Sequence, residues 1–519
     1  MQHTNGLEDA RNYEAKYGGR IGPENRPVFH VSPYTGWAND PNGFSVYKGA
    51  YHLFYQYYPY ETVWGPMHWG HVKSADLIKW EYLPCALAPD SDFDRAGCWS
   101  GSAIETPDGE QMLIYTGRMY RTGSEGQEEI VQVQCMATGD GTDYRKYEGN
   151  PVLDAGGLPE GMSPYDFRDP KIWRDEEEDC CYMLVSSRGP DGSGCLLLYR
   201  SGSGREWTFV TVLESCNREY GSMWECPDFF TEEGDTDMPD MPYMPYMPDM
   251  PYMPDMLPAA ILVSPQEMEA GGEFQNRHGN IVLTGRYDRR NHHFIRETVH
   301  AVDDGYDFYA AQTLLAPDGR RIMIAWMQGW ENARVRQNDN LWFGMMTLPR
   351  EVSIRRGRLF QQPVRELEKY RTCPVRKEGI MVNGSMSLEG IRGRCLDMTV
   401  RVRQKEDGDC RSFSVCIAAD QAHGSTLRYD FAEGLLTFDR SRSGYVDDAM
   451  APRRIFLEEH PSCLELRFIL DRYSAEIFVN GGEHVITSVI PTPLTAGDIL
   501  FGAEGKAVLD IEKYEIRIP

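Results

Sequence analysis

Three acidic side chains stand in settings that could do chemistry, and they lie far apart along the chain. Asp40 sits in Trp37-Ala38-Asn39-Asp40-Pro41-Asn42-Gly43, Asp169 between Arg168 and Pro170, and Glu225 between Trp224 and Cys226. Pro41 fixes its own φ and pushes Asp40 toward extended backbone, and Gly43 lets the chain relax just afterwards. A carboxylate is thereby held on stiff backbone beside amide donors. Taken alone, the stretch is equally what an Asx-type turn before a strand would use. Two carboxylates plus a third acid in one pocket are, however, what glycoside hydrolysis needs. One stays ionised to attack an anomeric carbon. The other keeps a proton at neutral pH, a state that burial and nearby negative charge favour. Arg168, adjacent to Asp169, is expected to hold that acid ionised.

Some fold must bring these residues together, and the chain repeats a pattern that could. Trp37 to Tyr47 leads through Lys48-Gly49 into Tyr51 to Tyr57, and Cys98 to Glu105 leads through Pro107-Asp108-Gly109 into Met112 to Tyr115. Asp166 to Trp173 precedes Cys181 to Val185, Met223 to Phe230 precedes Ala260 to Val263, and Tyr306 to Thr313 precedes Ile322 to Trp326. Each unit reads as a hairpin in which a motif-rich strand feeds an apolar one. Five units recur roughly every 60–80 residues, which leaves room for about two more strands each. Four-stranded units repeated radially make a β-propeller, here of five blades. Polar residues sit on every motif-rich strand: Asn39 and Asp40, Ser100 and Ser102, Arg168 and Asp169, Glu225, then Asp307, Tyr309 and Gln312. In a propeller these strands line the axis, so the polar set is expected to meet in one funnel.

The expected plan is all-β: a polar lead-in over 1–26, a five-bladed β-propeller over 27–347, a linker over 348–370 and a C-terminal β-sandwich over 371–519. The sandwich follows from period-two alternation such as Leu396, Met398, Val400 and Val402, and then Phe413, Val415 and Ile417. An insertion over 238–255 consists of six Met-Pro-Asp or Met-Pro-Tyr tripeptides. Proline at every third position favours polyproline II, and a surface loop expanded by repetition accounts for it.

Bulk properties narrow the function class. At 519 residues the chain calls for two cores, and 12% aromatic content suits ring-stacking sugar sites. The net charge of −26 argues against nucleic acid and anionic membranes as partners. No run of 18 apolar residues predicts a membrane span, and the first 20 residues carry no apolar secretion core. Thirteen irregularly spaced cysteines point to reduced thiols, hence a cytoplasmic setting. His68 and His71 stand three apart on a strand and face opposite sides, so no metal pair is expected, and the chemistry needs no cofactor. Oligomeric state stays open.

The stretches WANDPNG, LFYQ, VWGPMHWGHVKSADLIKWEYLPCALAPD, WSGSA, FRDPKIW, MWECPDFF and DFYAAQT resemble glycoside hydrolase family 32, as does LDRYSAEIFVNGGE near the C-terminus. This is the family of invertases, fructanases and sucrose-6-phosphate hydrolases. The resemblance implies a five-bladed propeller followed by a β-sandwich, and a retaining reaction on a fructoside. It makes Asp40 the nucleophile, Glu225 the general acid and then base, and Asp169 the residue that grips fructose hydroxyls. It assigns Asn39, Gln56, Trp64, Ser100 and Arg168 to the fructose pocket, with Trp37, Trp99 and Trp326 as walls. A retaining pair should stand about 5–5.5 Å apart. Three positions depart from the family pattern: Ala38 replaces a bulkier apolar residue, Tyr58 an Asn, and Trp99 a Phe.

The long VWGPMHWG run is most similar to intracellular bacterial enzymes acting on sucrose or sucrose 6-phosphate. A phosphate would need a nearby cation, for which Arg118, Arg121 and Arg188 are the sequence candidates, although solvated loop arginines would look the same. The rival readings are a fructan hydrolase, a fructosyltransferase, and a non-catalytic fructan-binding protein.

Overall fold

In the computed structural model, which describes residues 6–123, 126–232, 256–332, 341–404, 410–444, 451–457 and 463–519, all five hairpins form. The motif-rich strands are Gly36–Tyr47, Cys98–Glu105, Arg168–Asp175, Met223–Thr231 and Tyr309–Leu315. Each pairs with an apolar strand, and two more strands complete each sheet outward from the axis. Neighbouring inner strands touch around a full circle, the fifth against the first, so the sheets are the blades of a five-bladed propeller. The second strands read as unbroken apolar runs because a blade covers each of their faces. Leu113, Ile114, Leu184, Ile261 and Met323 are fully buried.

The ring is closed by a short parallel strand, Trp342–Phe343, which joins the first blade opposite Gly36 and Trp37. Around the axis, side chains brace blade to blade. Lys171 Nζ donates to Asp228 Oδ2 (2.6 Å) and to the Thr313 carbonyl (2.7 Å). Ser102 Oγ donates to the Pro170 carbonyl (2.7 Å), and Gln312 Nε2 to the Gly101 carbonyl (2.9 Å).

Two expectations need correction. Residues 348–370 are not a plain linker: Arg350–Arg355 and Arg358–Pro363 are the two outer strands of the fifth blade, and only the 3-10 turn Arg365–Tyr370 leads out of it. Both alternate buried with half-exposed residues, but their arginines and Glu351 break the apolar runs that mark the second strands of the other blades. The lead-in, read as merely polar, contains the helix Leu7–Tyr17. Arg11 Nε donates to the Cys85 carbonyl (3.0 Å) and Glu14 Oε2 accepts from the Cys85 N–H (3.0 Å). The helix thus covers the outer edge strand Trp80–Leu87 of the first blade, which would otherwise offer unpaired backbone. The tripeptide insertion 238–255 lies outside the described residues. No helix among the described residues is long and apolar enough to cross a membrane.

The C-terminal strands form the expected sandwich. Two long strands, Arg371–Arg392 and Asp498–Ile516, pair with each other, and the second crosses between the layers. Its 498–504 part pairs with Ser412–Ala419 and its 507–515 part with Leu396–Gln404. Val400, Val402, Phe413, Val415, Leu466 and Phe468 share one core between the layers, as the alternation requires.

A buried ionic cluster rivets sandwich to propeller. Arg350, fully buried, donates to Glu476 Oε2 (2.9 Å from Nε) and Asp303 Oδ2 (3.0 Å), and His30 lies between Asp471 Oδ2 and Glu476 Oε1, both at 2.9 Å. Asp307 belongs to this interface and not to the funnel: it pairs with Arg440 and accepts the Val489 N–H (2.8 Å). Burial alone would lower the His30 pKa, but hydrogen bonds to Asp471 and Glu476 outweigh it and push it up to about 9.

Arg350→Met takes the guanidinium from two buried carboxylates and leaves Glu476 with His30 as its remaining cationic partner, and the expected loss is about 3–5 kcal/mol in urea unfolding. His30 has a folded pKa above its ordinary 6.5, so its contribution is complete below that pH and fades as pH rises through about 9. The urea midpoint should therefore fall over that window, and His30→Gln should flatten the dependence.

Candidate active site

Every inner strand carries one extra residue at the same level. Between Ala38 and Pro41, three steps along the first strand face two on its partner. The same single-residue slip occurs between Trp99 and Gly101, Arg168 and Lys171, Glu225 and Asp228, and Tyr309 and Gln312. These are β-bulges, which bend a strand and re-aim a side chain. Asp169 (φ 64°), Cys226 (φ 48°) and Ala310 (φ 57°) adopt the left-handed backbone that lets the strand turn there. The bulges turn Asp40, Ser100, Asp169, Glu225 and Tyr309 toward one another at the end of the axis where the inner strands begin.

The three acids meet through short contacts. Asp40 Oδ2 accepts from Ser100 Oγ (3.0 Å) and lies 3.5 Å from Cys226 Sγ. Its Oδ1 is buried, with no hydrogen-bond partner among the described residues. Asp169 Oδ2 accepts the Cys226 N–H (2.9 Å), and Sγ of the same cysteine is 3.7 Å away. Glu225 is held on both sides: Oε1 accepts from Arg168 Nε (3.0 Å) and Oε2 from the Tyr309 hydroxyl (2.7 Å). Arg168 Nε is 3.9 Å from Asp169, so its closer partner is Glu225.

The electrostatics differ from the sequence expectation. Burial, then the Glu225 charge, push Asp169 upward, and Arg168 counters them only in part. Burial and the Glu225 charge also raise Asp40, to about 6, while hydrogen bonds from Asn39, Ser100 and Cys226 pull the other way. Three carboxyls thus face one guanidinium in a largely closed space.

Aromatic side chains frame the cluster. Trp37 stacks on Phe343 (4.2 Å between centroids, 16°) and its Nε1 donates to Asn39 Oδ1 (2.8 Å). Trp326 is fully buried behind this layer. Gln56 Nε2 donates to the Cys98 carbonyl (3.1 Å) beneath the floor. Trp99 adjoins Ser100, and Trp64, 44% exposed, stands edge-on to it (6.3 Å) at the rim. Ser102 and Gln312, expected in the funnel, brace blades below it instead. Sequence reasoning did not single out Cys226, whose backbone and thiol sit between Asp40 and Asp169. The left-handed turn after Glu225 that puts it there leaves no mark in residue types. His71 bonds His52 (2.9 Å between ring nitrogens) and His68 the Pro66 carbonyl (2.9 Å). A separate cavity of about 830 Å³ opens at the far ends of the inner strands, lined by Phe44, Ala103, Ile172 and Phe229, and none of the three acids borders it.

Comparison with known proteins follows the same division of the chain. The family model described as Glycosyl hydrolases family 32 N-terminal domain matches residues 30–363, and Glycosyl hydrolases family 32 C terminal matches 366–517. A sucrose-6-phosphate hydrolase of Escherichia coli is 35% identical, covering 97% of this chain and 97% of that protein. A GH32 beta-fructofuranosidase of Bombyx mori has a structure similar at a TM-score of 0.80, with 32% identity over 98% of both chains. A sucrose-6-phosphate hydrolase of Lactobacillus gasseri matches at a TM-score of 0.81, with 25% identity over 98% of this chain and 96% of that one.

One glycine holds the first bulge against the closing strand. Gly344 has φ 84°, and a Cβ there would stand 1.9 Å from the Ala38 carbonyl oxygen, two residues before Asp40. Gly344→Ala should cost roughly 1–3 kcal/mol from backbone strain alone, with the clash added, read as a lowered midpoint in thermal unfolding.

Proposed function

The chain belongs to glycosyl hydrolase family 32, and on that premise we propose that it hydrolyses the β-fructofuranosidic bond of sucrose or sucrose 6-phosphate with retention. The observation that carries this reading is the meeting of Asp40, Asp169 and Glu225 on three bulges of one axis. Asp40 is the nucleophile. Its carboxylate attacks C2 of the fructosyl unit, while Ser100 steadies Oδ2.

Glu225 is the acid. It passes a proton to the leaving oxygen as the bond to C2 breaks. Tyr309 and Arg168 hold the carboxylate left behind in place to take a proton from the incoming water. Water then attacks C2, the ester bond to Asp40 breaks, and fructose leaves with its configuration kept. Asp169, fixed by the Cys226 N–H, grips fructose hydroxyls and opposes the positive charge of the oxocarbenium-like transition state. Asn39, Trp64, Ser100 and Arg168 complete the pocket with Trp37 and Trp99 as its aromatic walls, and Gln56 and Trp326 support them from behind. No metal or organic cofactor enters this scheme. All 13 cysteines carry free thiols, which supports a cytoplasmic setting.

Equal amounts of glucose and fructose from sucrose are expected. Excess glucose with growing oligomers would identify a transferase instead. Asp40→Asn should lower kcat by more than about 10⁴ with unchanged thermal unfolding, and Glu225→Gln by about 10²–10⁴. Asp40 works ionised and its pKa is raised to about 6, so kcat/KM should fall as pH drops through that value. An acid limb near 4 would contradict the buried geometry.

A further inference from the structure

Next to the pocket lies a cation without an ion-pair partner among the described residues. Of the three arginines near the motif strands, Arg121 pairs with Glu129 (3.4 Å) and Arg188 with Asp166 (3.4 Å). Arg118 differs from both. Its guanidinium stands 4.3 Å over the ring of Trp99, its Nε is buried without a hydrogen-bond partner, and its side chain makes no ion pair among the described residues. Of the charged or titratable groups that act on it, one is Tyr120 and the other is Arg168, itself a cation. In a chain with 79 acidic and 53 basic residues, a half-buried guanidinium with no carboxylate paired to it among the described residues is suited to a counter-charge from outside.

Its place says where that charge would come from. Trp99, which carries the stacked guanidinium, adjoins Ser100, and Ser100 bonds the nucleophile Asp40. On the other side, Arg118 neighbours Arg168, which holds the acid Glu225. With Asp40 attacking C2 and Glu225 protonating the leaving oxygen, the leaving sugar would stand on the Glu225 side of the fructosyl ring, which is where Arg168 and its neighbour Arg118 lie. Stacking on the indole keeps the cation in position without using its N–H groups. A guanidinium held in that way is suited to bidentate contact with a phosphate carrying about −1.5 to −2 charge at neutral pH.

We propose that Arg118 is a specificity residue that binds the phosphate of sucrose 6-phosphate on the leaving sugar, making the phosphorylated disaccharide the preferred substrate. This rests on the fructosidase reading above. Phosphate on the leaving group and not on the fructosyl unit also means that glucose 6-phosphate, the released product, retains the contact.

The test compares kcat/KM for sucrose 6-phosphate and for sucrose in the full chain, in Arg118→Gln and in Arg118→Lys. The wild type should favour the phosphorylated sugar at least tenfold. Arg118→Gln should cut that ratio tenfold or more, chiefly through KM, and Arg118→Lys should restore part of it. Glucose 6-phosphate should inhibit sucrose hydrolysis more strongly than glucose in the wild type, and lose that advantage in Arg118→Gln. A wild type indifferent to the phosphate would overturn the proposal and leave the fructosidase reading standing. So would an Arg118→Gln variant that loses both substrates by the same factor. A wild type that cleaves neither sugar would overturn both.

Discussion

An inserted residue at the same level of every inner strand is the constraint on which the rest depends. A regular strand facing the axis would alternate its side chains between the two neighbouring blades, and no acid would point along the channel. The slip at each of the five inner strands breaks that alternation at one level. Asp40, Ser100, Asp169, Glu225 and Tyr309 are therefore delivered to a common point by five separate sheets. Rigidity comes from the blades behind, whose apolar second strands are buried on both faces, and from axial braces such as Lys171 with Asp228. The extra sandwich adds a further anchor through Arg350, His30 and their carboxylate partners.

Bringing carboxyls together creates an electrostatic problem that the same bulges help to solve. The turn after Glu225 points the Cys226 N–H at Asp169 and its thiol toward Asp40, so one residue supplies donors to two acids. Arg168 is shared in the same manner, close to Glu225 and more distant from Asp169. Burial, and then the Glu225 charge that one guanidinium offsets only in part, raise Asp40 and Asp169. Arg118 stands just outside this balance, without an ion-pair partner among the described residues.

The propeller and the sandwich were legible because burial on both faces produces unbroken apolar runs and burial on one produces alternation. The three acids were legible through their settings among proline, asparagine and arginine. What the residue types concealed was direction. Ser102 and Gln312 share strands with site residues yet brace neighbouring blades, and Asp307 answers Arg440 some 130 positions later, in the other domain. Such pairings depend on contacts between segments remote in the chain. Strands 350–355 and 358–363 were missed for a simpler reason: the outer edge of a blade meets water, so charge replaces the apolar pattern.

The most direct test of the account is the configuration of the transferred fructosyl group. Sucrose turned over in dilute methanol yields a methyl fructofuranoside whose anomer can be read by NMR before it is hydrolysed in turn. Attack by Asp40 followed by methanol on the opposite face gives the β-anomer. An α-product would mean that a solvent molecule displaces the leaving sugar in one step, and Asp40 as nucleophile with Glu225 as its acid and base partner would not stand.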